Sequence, residues 1–188
     1  MESTTEQGES RMLDDFTFPA ARDLATARPD VMVFGCTSAG ALRGNPYDAW
    51  LTREIEQRTG IKTVSVIKSV REKIQTLAVK RLVVATPYIQ ALNKRIARSL
   101  QDDGLEVLQI TGLGIEVNFE IAQVTQQEIL ELAIRAVGGH EPELLFLSCT
   151  NFPAMNSLSA VRELFPFPVI SSNQVTLEAA ILAAQDRG

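Results

Sequence analysis

The sequence predicts an α/β protein built from two pseudo-symmetric parallel-sheet domains with an active site in the cleft between them. Helical and strand-like hydrophobic periods alternate along the chain, which is the pattern of parallel sheets covered by helices. Two apolar strands, in "VMVFGCTSAG" and "LLFLSCTNFP", end in the same series of a small residue, Cys and Thr. This similarity indicates an approximate internal duplication. No linker or low-complexity segment follows residue 15.

The first half is predicted to contain two strands and three helices. Asn45 and Pro46 suit the start of the second helix, and Gly60 suits its end. Trp50 and Leu51 lie on its predicted inner face, at helical spacing. The strands are short apolar runs, as expected in a parallel sheet that is covered on both faces. In chain order the predictions are helix 19–28, strand 31–35, helix 46–60, strand 62–67 and helix 69–79.

The second half continues the alternation with four strands. A helical stretch over 118–137 is predicted to break near Thr125, and a later helix is predicted to open at Pro153. The elements are strand 81–86, helix 89–104, strand 105–110, helices within 118–137, strand 143–148, a helix from 153, strand 168–171 and helix 175–185. The first domain is expected to span 1–77 plus 174–188, with 1–15 irregular or disordered, and the second to span 78–173.

Composition favours a soluble globular protein, and the cytoplasm is the expected compartment. Of the 188 residues, 45% are apolar and 22% charged, as in ordinary globular proteins. No apolar run approaches the roughly 20 residues of a membrane span, and the acidic, polar start does not resemble a signal peptide. In the cytoplasm thiols stay reduced, so the two cysteines are expected to be free.

Charge and histidine content argue against several functions. The net charge is −5 without a basic cluster, so nucleic acid is not an expected partner. Any anion site must therefore be local and made of backbone N–H groups and hydroxyls. His140 is the only histidine and lies in a polar segment. A Ser-His-Asp hydrolase or a multi-histidine metal site is thus not expected.

The paired Cys–Thr sequences, at Cys36 and Cys149, predict thiol chemistry. A thiol at a strand tip, beside the next helix N-terminus, is expected to have a lowered pKa. Nearby N–H groups and hydroxyls can cradle a carboxylate. Two thiols on opposite sides of a bound carbon could exchange its proton, as in a racemase. Alternatively, one thiolate could add to a double bond and let it rotate. Gly35 and Gly40 are expected to let the backbone turn sharply and approach the ligand.

The chain resembles the aspartate/glutamate racemase superfamily, and is nearest to maleate cis-trans isomerase and arylmalonate decarboxylase. The resemblance rests on "RPDVMVFGCTSAG", "VKRLVVATPYIQALNKRI", "GLEVLQITGLGIEVNFEIAQV", "LLFLSCTN" and "PVISSNQ". It implies two pseudo-symmetric domains, an active site between them and no cofactor or metal. Members of the family usually begin with an additional strand, and the first domain here is expected to lack it.

The resemblance also implies roles for individual residues. Cys36 resembles the nucleophile of maleate isomerase, and Cys149 resembles the second thiol, a proton donor and acceptor. Tyr88 and Asn118 match residues that bind substrate carboxylates. Additional hydroxyl and backbone donors are expected from Thr37, Ser38 and Thr150.

The expected function is cofactor-independent cis-trans isomerisation of a small dicarboxylate, of the maleate-to-fumarate type. Two alternatives stay open: an amino-acid or hydantoin racemase that uses the same thiols as an acid/base pair, and a catalytically inactive truncated relative. Arylmalonate decarboxylases keep only the second thiol, so two thiols favour an isomerase or racemase. A small carboxylate is the expected partner, and a homo-oligomer without membrane association is the expected state.

Overall fold

The computed structural model describes residues 2–185 and contains two parallel sheets. In the smaller sheet β1 pairs with β2, and the larger sheet has the strand order β4-β3-β5-β6. All pairs between these strands are parallel. The strands are β1 Met32–Phe34, β2 Thr63–Ser65, β3 Arg81–Thr86, β4 Glu106–Gly112, β5 Leu144–Leu147 and β6 Val169–Ser171.

Helices precede, connect and follow these strands. Between the first and second helices lies one π-helical segment, Met12–Phe16. Within residues 2–185, no helix combines the length and the apolar character that a bilayer crossing requires. The α-helices are α1 Glu6–Arg11, α2 Thr17–Ala25, α3 Thr37–Leu42, α4 Asn45–Thr59, α5 Val66–Thr76, α6 Gln90–Gln101, α7 Asn118–Ile121, α8 Gln126–Val137, α9 Ala154–Glu163 and α10 Ser172–Gln185.

The predicted order of strands and helices from residue 19 onwards is confirmed, except that helix α3, which follows β1 directly, was not predicted. The predicted break near Thr125 is an N-cap with a complete capping box to Glu128. Gly60 ends α4 with φ +71°, in the left-handed region that favours glycine. The predicted cap is wrong by one residue, because Gly44 caps α4 while the Asn45 amide donates to the carbonyl of Ser99.

The predicted orientation is wrong for one side chain of α4. Leu51 is fully buried as expected, whereas Trp50 is 43% exposed. At the surface, Trp50 contacts the Phe18 ring in a T-shaped arrangement and the Tyr47 ring in a tilted one. The helical spacing defined a broad apolar stripe, and only part of that stripe faces the core.

The N-terminal segment differs from the prediction of irregular or disordered structure for 1–15. Met1 lies outside the described residues, but Glu6–Arg11 is helical and Met12–Phe16 continues it. Thr5 caps the first helix by accepting from the Gly8 N–H. Leu13 is 1% exposed and belongs to the hydrophobic core. This segment is therefore a packed part of the fold.

The two sheets follow the predicted division of the chain, while the exact domain limits stay a prediction. Both strands of the smaller sheet lie within 1–77, and all four of the larger sheet lie within 78–173. Helix α10 begins directly after β6 and packs on α5, next to the smaller sheet. Residues 2–31 form helices and one isolated bridge, Ser3 to Val117, but no strand.

Candidate active site

A cavity of about 290 Å³ lies at the carboxyl ends of β1, β3 and β5. Ligands of parallel α/β proteins bind at this edge of the sheet, because the connecting loops leave a crevice there. Both cysteines line the cavity, and neither forms a disulfide. The lining residues are Thr4, Met12, Gly35, Cys36, Ser38, Tyr88, Asn118, Cys149, Thr150 and Asn151.

The first cysteine lies where β1 passes into α3. Cys36 is the N-cap residue of α3, with extended backbone at φ −135°, and is half-buried. Its Sγ lies 3.8 Å from the Ser38 hydroxyl. A Cβ at Gly35 would meet no atom within 4 Å, so this backbone is open to a ligand. Gly40 is needed for close packing and not for the predicted approach of the backbone to a ligand. A Cβ at this position would lie 2.8 Å from the Ile67 side chain.

The second cysteine lies just beyond β5 and has an unusual backbone. Cys149 has φ +116°, a region that residues with a side chain rarely adopt. Its N–H donates to the Ser172 hydroxyl at 3.0 Å, and its Sγ accepts from the Asn151 N–H at 3.3 Å. Strained backbone of this kind persists only where surrounding contacts fix it. The loop therefore presents the thiol in one imposed orientation.

One direct hydrogen bond, and a second connection through Ser172 at the start of α10, join the cysteine loops. Thr150 donates from Oγ1 to the carbonyl of Gly35 at 2.7 Å. The hydroxyls of Thr37 and Ser172 lie 3.0 Å apart, and the same Ser172 oxygen accepts from the Cys149 backbone. The Thr37 side chain is fully buried in this contact and does not line the cavity. Thr37 thus connects the two loops, whereas the sequence had indicated a hydroxyl for the substrate.

Tyr88 and Asn118, which the family resemblance had singled out, are both brought to the cavity. Tyr88 follows β3 and is only 2% exposed, with its hydroxyl against Cys149 and Ser38. Asn118 begins α7, and its carbonyl accepts from the Asn151 side-chain amide at 2.6 Å. Hydroxyl and amide groups thus surround the two thiols.

The pKa values of both thiols are shifted upward, contrary to the expectation from the helix N-terminus. Burial is the main cause for each, because it disfavours the charged thiolate. The pKa of Cys36 is raised to about 12, with the negative charge of Glu9 adding to the effect of burial. Burial also raises the pKa of Cys149, although Tyr88 and the Asn151 backbone oppose the shift. Both cysteines are therefore protonated thiols in the free protein at neutral pH.

Sequence reasoning missed the residues that the N-terminal segment brings to the site. Thr4 and Met12 line the cavity, and Glu9 lies behind Ser38, whose hydroxyl donates to its Oε1. Thr4 is positioned by hydrogen bonds to the carbonyls of Ile115 and Glu116. The available signal was a weak one: Thr5 as a possible N-cap, with apolar residues one helical turn beyond Glu9.

Asn151 was also missed, although its position carried a signal. It directly follows the second Cys–Thr pair, at the place that Ser38 occupies in the first. Both residues line the cavity. Equivalent positions in the two loops therefore supply equivalent polar groups.

The donor set suits a small anion. The cavity is lined by hydroxyl, thiol and amide groups, and none of its lining residues is cationic. Across residues 2–185 there is no group of three or more His, Cys, Asp and Glu side chains that could hold a metal ion. A carboxylate here would be bound by neutral hydrogen-bond donors, as the charge analysis anticipated.

A second, apolar groove adjoins the first cysteine. It measures about 300 Å³ and shares Met12, Gly35 and Cys36 with the thiol cavity. Its remaining walls come from α2 and β1, with single residues from the π-helical segment, α4 and β2. Most of these side chains are apolar: Phe16, Thr17, Ala20, Ala21, Leu24, Met32, Val33, Phe34, Ile55 and Thr63. The Cys36 position thus borders one polar and one apolar space.

Comparison with known proteins finds one family and several relatives over most of the chain. The model of the family described as "Arylmalonate decarboxylase" matches residues 1–187. The arylmalonate decarboxylase of Bordetella bronchiseptica is 26% identical over 172 residues, which cover 91% of this chain and 71% of that protein. The maleate isomerase of Geobacillus stearothermophilus is 23% identical over 174 residues, covering 90% and 69%.

Solved structures of the same two kinds share the fold. A double mutant of arylmalonate decarboxylase in the liganded form superposes with a TM-score of 0.92 at 25% identity, over 99% of this chain and 79% of that chain. A second structure is a mutant of the Nocardia farcinica maleate cis-trans isomerase with a covalently bound succinylcysteine intermediate. It superposes with a TM-score of 0.85 at 18% identity, over 99% of this chain and 77% of that chain. The relatives named in these comparisons are enzymes.

Proposed function

The chain belongs to the arylmalonate decarboxylase family, and we propose that within this family it is a cofactor-independent isomerase that converts a small cis-dicarboxylate of the maleate type into its trans isomer. One observation carries this proposal: two free thiols, Cys36 and Cys149, line a single cavity that is otherwise rich in hydroxyl and amide groups. The relatives named maleate isomerase add support from outside the site.

In this proposal the sulfur of Cys36 adds to one carbon of the double bond. The electron pair moves to the second carbon, which takes a proton from the Cys149 thiol, and the proton released by Cys36 restores that thiol. The product is a succinyl thioether with a single bond that can rotate. Reversal of the same steps breaks the S–C bond and releases the trans isomer. The succinylcysteine of the Nocardia farcinica enzyme is an adduct of this type.

The raised pKa values of the thiols fit this sequence of steps. A buried thiolate in the free protein would be an uncompensated charge, so the protein keeps both sulfurs protonated. Proton loss from Cys36 then accompanies bond formation. Polar groups from both loops and from α7 can bind the two carboxylates, namely Ser38, Tyr88, Asn118, Thr150 and Asn151.

The test is incubation of the protein with maleate while the vinyl protons of fumarate are followed by NMR. We expect turnover that needs no added cofactor and that is lost in Cys36→Ser. The variant Cys36→Ser keeps the size of the side chain, and its unfolding curve serves as the control for folding. Folded wild-type protein that produces no fumarate at high concentration would exclude maleate as the substrate.

A second candidate is racemisation at a carbon that carries a carboxylate and an apolar group. The apolar groove beside Cys36 favours it, because a planar dicarboxylate of four carbons would leave that groove empty. Here the two thiols would act as opposed acid and base. Incubation of candidate acids in D₂O distinguishes the reactions: racemisation places deuterium on the α-carbon, which NMR detects, without forming a geometric isomer.

A further inference from the structure

Glu9 is a buried carboxyl group in contact with the thiol cavity but not among its lining residues. It lies on α1 and is 0% exposed. The hydroxyl of Ser38, which does line the cavity, donates to Oε1. The second oxygen, Oε2, is buried and has no hydrogen-bond partner among the described residues. A carboxylate in this setting is costly, because neither a cation nor a second donor compensates its charge.

The charged and titratable groups near Glu9 lie on its own helix, in the two cysteine loops and in the elements packed on α1. On its own helix Glu6 is nearby, and its charge is shared with Arg95 of α6 in an ion pair of 2.7 Å. From the two loops, the Cys36 and Cys149 thiols interact electrostatically with it. Arg43 at the end of α3 is engaged by Asp14 at 2.6 Å. Burial, together with the repulsion from Glu6, raises the pKa of Glu9 to about 7, although the Ser38 hydrogen bond opposes this.

An anionic ligand would make the charge of Glu9 still less favourable. The cavity lining contains no cationic side chain, so a bound carboxylate would be neutralised only by hydrogen-bond donors. Two negative charges that share one poorly solvated site cannot both persist, and one of them takes up a proton. Glu9 is the carboxyl group placed to do so, since it accepts a hydrogen bond from Ser38, which lines the cavity.

We propose that ionised Glu9 takes up one proton from solvent when a carboxylate ligand enters the thiol cavity, so that anion binding and protonation of Glu9 are coupled. This inference rests on the proposed function for the nature of the ligand. It assigns to the N-terminal helix a part in the site: the helix supplies the group that sets the charge of the cavity. Neutral Glu9 then also removes the charge that disfavours a thiolate at Cys36.

The coupling has a defined pH dependence. Below about pH 7 the carboxyl is already protonated in the free protein, and ligand affinity is independent of pH. Above that pH each unit adds a tenfold penalty, because the proton must be taken from a more dilute source. At pH 8.5 the wild-type protein is therefore expected to bind a dicarboxylate about 30-fold more weakly than at pH 6.

Calorimetric titration with succinate, which has no double bond to react, tests this at pH 6 and pH 8.5 in buffers of different ionisation enthalpy. We expect the wild-type protein to take up nearly one proton per succinate at pH 8.5. The isosteric variant Glu9→Gln should take up none and should bind with the same affinity at both pH values. Glu6→Gln is the matched control, because this carboxyl is on the same helix with a 43% exposed side chain. This variant should still take up nearly one proton per succinate at pH 8.5, because burial, the main cause of the raised pKa of Glu9, is unchanged.

A second measurement separates failure of this inference from failure of the proposed function. Iodoacetate and iodoacetamide alkylate the same thiolate, but only iodoacetate brings a negative charge into the cavity. The rate with iodoacetate divided by the rate with iodoacetamide should fall steeply above pH 7 in wild type. The same ratio should stay constant with pH in Glu9→Gln. If succinate does not bind, the dicarboxylate proposal fails while this ratio still decides on Glu9. The coupling would be overturned if this rate ratio had the same pH dependence in wild type and in Glu9→Gln. It would also be overturned if wild type bound succinate without proton uptake.

Discussion

The two cysteine loops share the letters Cys–Thr and differ in almost every physical respect. Cys36 has an ordinary extended backbone, is half-buried and caps a helix. Cys149 has φ +116°, is 4% exposed and receives hydrogen bonds from its own loop. The first loop is backed by the N-terminal helix with Glu9, and the second by the start of α10 with Ser172. The comparison teaches that a repeated sequence can position two thiols for different tasks.

The largest expected effect separates the two thiols in the reaction. If Cys36 forms the bond, Cys36→Ser abolishes both turnover and the covalent adduct. If Cys149 transfers the proton, Cys149→Ser lowers turnover by about 10²–10⁴-fold, the usual range for a lost general acid, and lets an adduct accumulate. NMR measures the rate, and intact-protein mass spectrometry detects the adduct. Adduct formation in Cys36→Ser, or identical behaviour of the two variants, would contradict this division of roles.

The next largest effect concerns Glu9, whose carboxyl group is hydrogen-bonded to Ser38 of the first cysteine loop and has no hydrogen bond to the second loop. Burial raises the pKa of Glu9 from 4.5 to about 7, so the folded protein binds a proton that the unfolded chain releases between these values. Wild type should therefore lose about 3 kcal/mol of stability relative to Glu9→Gln as pH rises from below 4.5 to above 7. Urea unfolding at pH 4, 6 and 8 measures the difference.

The control for this prediction is again Glu6→Gln, since its carboxyl is exposed and paired with Arg95. Its stability difference from wild type should change little over the same pH range. A difference between wild type and Glu9→Gln that is constant with pH would show that the Glu9 carboxyl does not titrate on its own in this window.

Much of this architecture was predictable because it depends on local patterns. The alternation of periods identified the strands from 31 onwards, and the Cys–Thr pairs located two of the loops that form the cavity. The N-terminal helix was not predictable in this way. Its stability comes from Leu13 in the core and from hydrogen bonds of Thr4 to a loop more than 100 residues away. Such long-range contacts leave no periodic signal in a short polar segment.

Backbone conformation at the site was equally hidden from the sequence. Nothing in "SCTN" distinguishes a cysteine at φ +116° from one at φ −135°, because both loops contain Cys–Thr between small or polar residues. The raised thiol pKa values were missed for a related reason. The helix N-terminus is a local feature that the sequence indicates, whereas burial and the charge of Glu9 arise only when distant segments pack.

The backbone difference predicts opposite responses to glycine. At Cys149, Gly should give a protein more stable than Ala by about 1–2 kcal/mol, because Gly adopts positive φ without strain. At Cys36, Ala should be more stable than Gly by about 0.5–1 kcal/mol, because the extended backbone suits any residue and Gly has more freedom when unfolded. The four variants are compared by urea unfolding. The same order of Gly and Ala at both positions would mean that the loops do not differ in strain.

The smallest expected effect measures how far the two loops depend on each other. Thr37 and Ser172 connect them through hydroxyls 3.0 Å apart, and Ser172 also accepts from the Cys149 N–H. In a double-mutant cycle, Thr37→Val and Ser172→Ala should be non-additive by about 0.5–1 kcal/mol, since each removes the same hydrogen bond. Thr176 donates to the Ser172 carbonyl at 2.7 Å within α10, so Thr37→Val with Thr176→Val is the matched control and should be additive. Equal coupling in both cycles would show that the hydroxyl contact does not join the loops. Additive effects of Thr37→Val and Ser172→Ala would show that this contact does not couple the loops, which would then be joined by the hydrogen bond from Thr150 to Gly35.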